Sequence, residues 1–189
     1  MNYIKTIIAA IAMTAFAWGV DDMAAAESTP ASVESGATAF AWGVDVGSSI
    51  DLTTADMSSL DGEAYFGLRC PGVDIVGVGA GIHGMVNNNS FSYPLYVLLR
   101  TSFSKQKQLC FFDLRTGVAL NNFFGTATNT AFYINPSVGV NLASSRKFRS
   151  YLTLGYSYNG GKDISDATTT SGKSANNLSM ATLRLGIMF

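Results

Sequence analysis

From residue 39 to residue 189, apolar side chains recur at every second position, and no segment sustains the 3.6-residue spacing of an amphipathic helix. Successive side chains of a strand point to opposite faces, so this spacing predicts strands along the whole segment. The last strand is the clearest: Ala181, Leu183, Leu185, Ile187 and Phe189 share one face, with Thr182, Arg184, Gly186 and Met188 behind them. Leu152, Leu154, Tyr156 and Tyr158 likewise alternate with Tyr151, Thr153, Gly155, Ser157 and Asn159, and Phe132, Ile134, Val138 and Val140 with Tyr133, Asn135, Ser137 and Gly139. Upstream, Phe112, Leu114, Val118 and Leu120 face away from Asp113, Arg115 and Gly117, while Tyr93, Leu95, Val97 and Leu99 face away from Arg100. Val76, Val78, Ala80 and Ile82 face away from Gly77, Gly79, Gly81 and His83. Less regular segments at 39–48 and 62–70 complete a set of eight predicted strands.

Alternation by itself does not say which face meets water, because a soluble sandwich or barrel buries its apolar face and wets the polar one. Three features point to an apolar face turned outward into lipid. The segments are about 9 to 13 residues long, as a tilted membrane-crossing strand requires, against the usual five or six. Asp45, Arg69, Arg100, Asp113, Arg115 and Arg184 fall on the second faces, where they suit a polar lumen. The connections also differ: 49–61, 87–90, 122–130 and 160–176 follow odd strands, three of them long, and 71–73, 104–108 and 143–147, all short, follow even ones. That pattern predicts external loops, periplasmic turns and both ends of the barrel in the periplasm. A lipid-facing sheet must close on itself, since an open edge leaves backbone groups unpaired in hydrocarbon. The predicted fold is therefore all-β, an eight-stranded antiparallel transmembrane β-barrel over 39–189. Trp42, Tyr93, Phe132, Phe148, Tyr156 and Tyr158 fall near strand ends, where aromatic girdles form.

Only 13% of the 189 residues are charged, about half the usual share of a soluble domain. Lys and Arg number 12 against 13 Asp and Glu, which leaves no basic surplus for binding nucleic acid. Residues 1–26 carry one early cation, Lys5, then the uncharged stretch Thr6–Val20 and Ala24-Ala25-Ala26, and read as a secretory signal peptide. The uncharged stretch falls short of the roughly 18 to 20 apolar residues of a spanning helix. Residues 27–38 read as a small polar linker. Thr14–Asp21 (TAFAWGVD) recurs letter for letter at Thr38–Asp45, a local duplication too short for a repeat array.

Export permits a disulfide, but Cys70 and Cys110 fall on predicted strands that are not neighbours, so they are expected to be unpaired. Neither belongs to a metal-ligand spacing, and no metal or other cofactor is expected. Gly77, Gly79, Gly81 and Gly84 lack the following helix that a phosphate-binding loop needs, and read instead as room for large lumen side chains.

The alternating terminal strand Leu183-Arg184-Leu185-Gly186-Ile187-Met188-Phe189, the run Gly77–Gly81, Tyr133–Val140 (YINPSVGV) and Leu154–Tyr158 together carry a resemblance. Over Ala39–Phe189 the chain resembles the small outer-membrane β-barrel proteins of Gram-negative bacteria, the OmpA/OmpX-like and PorT-like barrel families. The resemblance implies an outer-membrane location among outer-membrane lipids. It also implies that Leu183, Leu185, Ile187 and Phe189 form the signal read by the barrel assembly machinery.

An eight-stranded barrel is just wide enough for side chains to fill it, which disfavours an open pore. Asp45, Arg69, Arg100, Asp113, Arg115 and Arg184 are expected to form a lumen ion-pair network, with His83 also in the lumen. The expected role is structural or surface-interacting, non-enzymatic and monomeric. Two alternatives stay open: a lipid-modifying outer-membrane enzyme that uses His83 with a serine and an acid, and a secreted lipocalin-like binder whose apolar faces line a cavity. Lys105, Lys107, Arg146, Lys147 and Arg149 lie in or beside the short turns, whereas Asp51, Asp56 and Asp61 lie in the first long connection. Periplasmic cations suit anionic lipid headgroups. The segment 160–176 is expected to be external surface, and the sequence names no ligand for it.

Overall fold

Sequence-adjacent apolar segments joined by short connections pair most readily as antiparallel neighbours, and the computed structural model is built in that way throughout. It describes residues 39–53, 57–70, 72–86, 90–103, 109–122, 129–145, 148–160 and 177–189. The expected signal peptide and linker lie outside these residues, as do Asp56, Lys105, Lys107, Arg146, Lys147 and 161–176. The strands are β1 (Ala39–Asp51), β2 (Ser59–Cys70), β3 (Val73–Met85), β4 (Phe91–Ser102), β5 (Cys110–Asn122), β6 (Asn129–Ser144), β7 (Arg149–Gly160) and β8 (Asn177–Met188). Each pairs antiparallel with the next, and β8 returns to β1 to close the barrel.

Closure and tilt follow from the register. A path from Trp42 across Phe66, Val78, Val97, Thr116, Ile134, Tyr158 and Ser179 comes back to β1 at Leu52. The return point lies ten residues beyond the start, so the strands are strongly tilted, as barrel closure demands. At the seam Trp42 and Phe189 exchange backbone hydrogen bonds in both directions, and their rings stack with centroids 4.6 Å apart.

The two faces separate by chemistry. Phe40, Val46, Leu95, Val97, Phe132, Val138, Leu154 and Leu183 all point outward and are exposed. Asp45, Asp61, Glu63, His83, Arg100, Asp113, Arg115 and Arg184 all point inward and are buried. Among the described strand residues, Asp74 at the rim is the only charged side chain of outward parity, and its carboxylate accepts from Ser102 Oγ. The apolar faces thus form the outer wall, so the apolar-lined cavity of the lipocalin-like alternative is not formed by the described residues.

Two expectations are corrected. β1 runs to Asp51 and β2 starts at Ser59, so the first connection is 52–58 rather than 49–61, and Asp61 is a buried strand residue instead of a loop acid. Ser48, Ser49, Ser59 and Asp61 give no apolar period, but pairing of Ser48 with Leu60, Ser49 with Ser59 and Asp61 with Gly47, and of Ser59 and Asp61 with Met85 and His83, holds them in the sheet. The contrast in connection length also shrinks: 52–58, 86–90 and 123–128 resemble 103–109 in length, and only 161–176 is clearly long. We refer to the barrel end bearing 161–176 as the loop end and to the other, bearing 71–72, 103–109 and 145–148, as the turn end.

Glycines in the wall face the largest interior side chains. A Cβ on Gly79 would lie 2.6 Å from the Tyr96 ring, and one on Gly139 would lie 2.2 Å from Phe111. These positions give the interior aromatics room, as the glycine spacing of the third strand suggests. Gly79→Val is expected to cost about 1–3 kcal/mol by overpacking, read as a lower urea midpoint for unfolding from lipid vesicles.

Candidate functional site in the barrel interior

Inward positions on six strands converge on one charged belt. Arg115 of β5 is fully buried and reaches three carboxylates. Its Nε donates to Asp113 Oδ1 at 3.0 Å, its Nη2 to Asp45 Oδ2 of β1, and its Nη1 to Glu63 Oε2 of β2. Arg184 of β8 adds a contact to Glu63 Oε1 at 3.1 Å and donates to Asn135 Oδ1 at 3.0 Å and to the Tyr133 hydroxyl at 3.3 Å. Arg100 of β4 donates to Asp113 through Nε at 2.9 Å and through Nη2, and to the Tyr65 hydroxyl at 3.3 Å. Burial of a charge is tolerable only when partners replace its water, and each of these guanidiniums has a carboxylate.

Aromatic side chains pack around the belt. The Arg100 guanidinium lies 4.2 Å from the Tyr151 ring centroid and 4.5 Å from that of Phe111, within cation–π range. Tyr151 donates its hydroxyl to Asp45 Oδ1 and stands 2.7 Å from the Tyr65 hydroxyl. The resulting chain of contacts runs from β1 through β2, β4, β5, β6, β7 and β8, so it ties opposite walls of the barrel together.

Towards the loop end a second layer is uncharged or acidic. Ser49 and Ser59 both donate to Asp61, while Ser92, Asn121 and Asn159 hydrogen-bond to one another. Above them Met57, Met85, Leu178 and Met180 are buried. Met57 is held by Asp51, whose carboxylate accepts from Met57 N at 3.0 Å and from Thr53 N at 2.7 Å.

The structure brings together Asp45, Arg100, Asp113, Arg115 and Arg184, and puts His83 against Glu63 and Asp61. Arg69 does not join them. It sits half-buried at the turn end, where the β2–β3 register shifts between Leu68 and Cys70. It lies six residues beyond Glu63 on β2, roughly 20 Å along the strand, and parity gives the face of a side chain but not its depth. Glu63, the acid shared by Arg115, Arg184 and His83, is absent from the residues singled out above. The alternation of Ala64, Phe66 and Leu68 was the signal, because it turns Glu63 and Tyr65 inward.

Serine-type catalysis needs a hydroxyl on one imidazole nitrogen. Here His83 Nε2 is 2.9 Å from Glu63 Oε1 and Nδ1 is 3.8 Å from Asp61 Oδ1, while the nearby serines donate to Asp61. Ser49 and Ser59 give their hydroxyls to Asp61 and Ser92 gives its hydroxyl to Asn121 rather than to His83, and among the described residues no acids, histidines and cysteines cluster as a metal site. Cys70 and Cys110 are free thiols.

The terminal strand keeps Leu183, Ile187 and Phe189 exposed on the outer wall, with Leu185 half-exposed beside them. No family model matches the chain, and no curated protein sequence matches it. Among solved structures it is similar to Neisserial surface protein A (NspA), with a TM-score of 0.51 at 13% sequence identity. The match covers 80% of this chain and 97% of that one. At that identity the likeness is one of fold: the chain is a closed eight-stranded barrel of the kind formed by that surface protein.

Proposed function

We propose that this chain is an integral outer-membrane β-barrel of a Gram-negative envelope, with a structural or surface-interaction role and an interior closed by its own side chains. The observation that carries this reading is the segregation of charge. Outward positions over the strand span are apolar or uncharged apart from rim Asp74, while four acids, three arginines and His83 are buried within. A soluble protein would gain nothing from such an inversion, whereas hydrocarbon tolerates only this arrangement. The exposed Trp42, Phe148 and Phe189 toward one end, and Tyr93, Phe132 and Tyr156 toward the other, suit two interfacial girdles.

The interior supports a closed barrel more than a channel, because Arg115, Arg184, Tyr133 and Tyr151 meet across it. The His83 geometry argues against lipid-modifying catalysis. In this reading the chain is monomeric, is surrounded by outer-membrane lipids and is inserted by the barrel assembly machinery through the Leu183–Phe189 strand. Electrophoresis of the outer-membrane fraction in SDS, with and without boiling, tests the proposal. The expected outcome is a faster-migrating band in the unboiled sample; recovery in the soluble fraction with no shift would overturn it.

A further inference from the structure

Pro94 of β4 and Pro136 of β6 stand inside the sheet, although a proline has no N–H to give to a strand ladder. The ladder breaks at both. β3 and β4 pair from Ile75 with Arg100 to Ala80 with Leu95 and resume at His83 with Ser92, leaving Gly81 and Ile82 unpaired with β4. β6 and β7 skip Asn135 and Pro136 in the same way. Hydrogen-bonded positions alternate along an antiparallel pair, and Met85 N donates to Ser90 O at 3.0 Å. Counting back by twos makes His83 with Ser92 and Gly81 with Pro94 the bonded positions, so Pro94 deprives the Gly81 carbonyl of its donor. Asn141 N donates to Leu109 O on the β5 side, and the same count turns Pro136 toward β7 and deprives the Tyr156 carbonyl.

Side chains brace one break and not the other. Beside the β6–β7 break, Asn135 reaches past β7 to β8, where its Nδ2 donates to Thr182 at 3.3 Å and its Oδ1 accepts from Arg184 at 3.0 Å. On the outer face Tyr156 donates to Ser179 of β8 at 2.8 Å. At the β3–β4 break, β3 presents Gly79, Gly81 and Gly84, which have no side chain to reach across. His83 turns to Glu63 of β2, and Ser92 to Asn121 of β5 and Asn159 of β7. Among the described residues one side-chain hydrogen bond joins β3 to β4, from Ser102 to Asp74 at the turn end. Beyond the break toward the loop end, only the short stretch His83–Met85 against Ser90–Ser92 closes the seam.

We propose that this stretch is a lateral gate, in which His83–Met85 part from Ser90–Ser92 while the rest of the barrel stays closed. The opening lies between the exposed Ile82 and Tyr93 of the outer wall and leads to the buried His83, Glu63 and Ser92 within. It gives the interior an access from the side. Local opening costs anything from nearly nothing to the whole free energy of unfolding, and a short end that lacks one ladder bond and any side-chain brace belongs to the low part of that range. The gate goes beyond the outer-membrane reading, and a folded barrel that fails to show it leaves that reading intact.

The test is amide hydrogen exchange, read by NMR, on the full chain folded in detergent micelles. The amides of Gly81, His83 and Ser92 point across the seam, whereas those of Ile82 and Tyr93 point to β2 and β5. The first three are expected to exchange about tenfold faster than Gly77 and Leu98, which cross the same seam on the turn side of the break. Pro94→Ala returns a donor to the Gly81 carbonyl and is expected to slow them about fivefold, the net worth of one hydrogen bond. Pro136→Ala is expected to leave them unchanged. His83 is the sole histidine, so its reaction with diethyl pyrocarbonate reads access to the interior and is expected to slow by the same factor in Pro94→Ala. Exchange at Gly81, His83 and Ser92 as slow as at Gly77 and Leu98, or an unchanged His83 reaction in Pro94→Ala, overturns the gate. Each variant is checked for folding by the boiled and unboiled gel shift. If Pro94→Ala does not fold, Pro94→Val restores the same donor with a better strand former, and the wild-type exchange pattern decides without either.

Discussion

Arg115→Ala is expected to destabilise the barrel by about 3–5 kcal/mol, the usual consequence of stripping one partner from a buried ion pair. The guanidinium touches Asp45, Glu63 and Asp113, and all three side chains are fully buried. Glu63 keeps Arg184 and Asp113 keeps Arg100, but Asp45 is left with the Tyr151 hydroxyl. The measurement is urea unfolding from vesicles followed by loss of the fast-migrating band. Arg115→Lys is expected to rescue only part of the loss, since an ammonium cannot serve three acids from one planar fork. Adding Asp45→Asn to Arg115→Ala is expected to recover stability, because it removes the charge left uncompensated. Wild-type stability in Arg115→Ala would mean that the belt is not what holds the walls together.

Val97→Arg probes the opposite face. Val97 points outward from the middle of β4 between Val78 and Thr116 and is 51% exposed. In water an arginine there would be nearly neutral, but at a bilayer midplane it costs about 2–4 kcal/mol. The same residue introduced at Phe40, near the start of β1, is expected to cost about 0–1 kcal/mol, because it lies close to the interface. Urea midpoints in vesicles that fall for Val97→Arg but not for Phe40→Arg would trace the depth of the outer wall. Equal midpoints for the two variants would contradict a lipid-facing exterior.

Much of the barrel is legible in the chain because a strand obeys a single geometric rule, alternation. Leu183, Leu185 and Ile187 against Arg184 and Gly186, or Leu95, Val97 and Leu99 against Arg100, are separated by parity alone, and the observed faces agree. Polar segments carry no such contrast. The ends of β1 and β2, where Ser48, Ser49, Ser59 and Asp61 give no apolar period, were readable only through their partners across the ladder.

The sequence by itself determined the strand number, the apolar outer wall and the inward turn of Asp45, Arg100, Asp113, Arg115 and Arg184, since each depends on local period. Tertiary structure alone decided which charges meet. Asp45 and Arg115 lie 70 residues apart, on β1 and β5, and the tilt that sets Glu63 within reach of Arg115, Arg184 and His83 arises only when the sheet closes. Depth likewise kept Arg69 out of the belt, because it lies six residues beyond Glu63 on β2 and parity fixes only the face of a side chain.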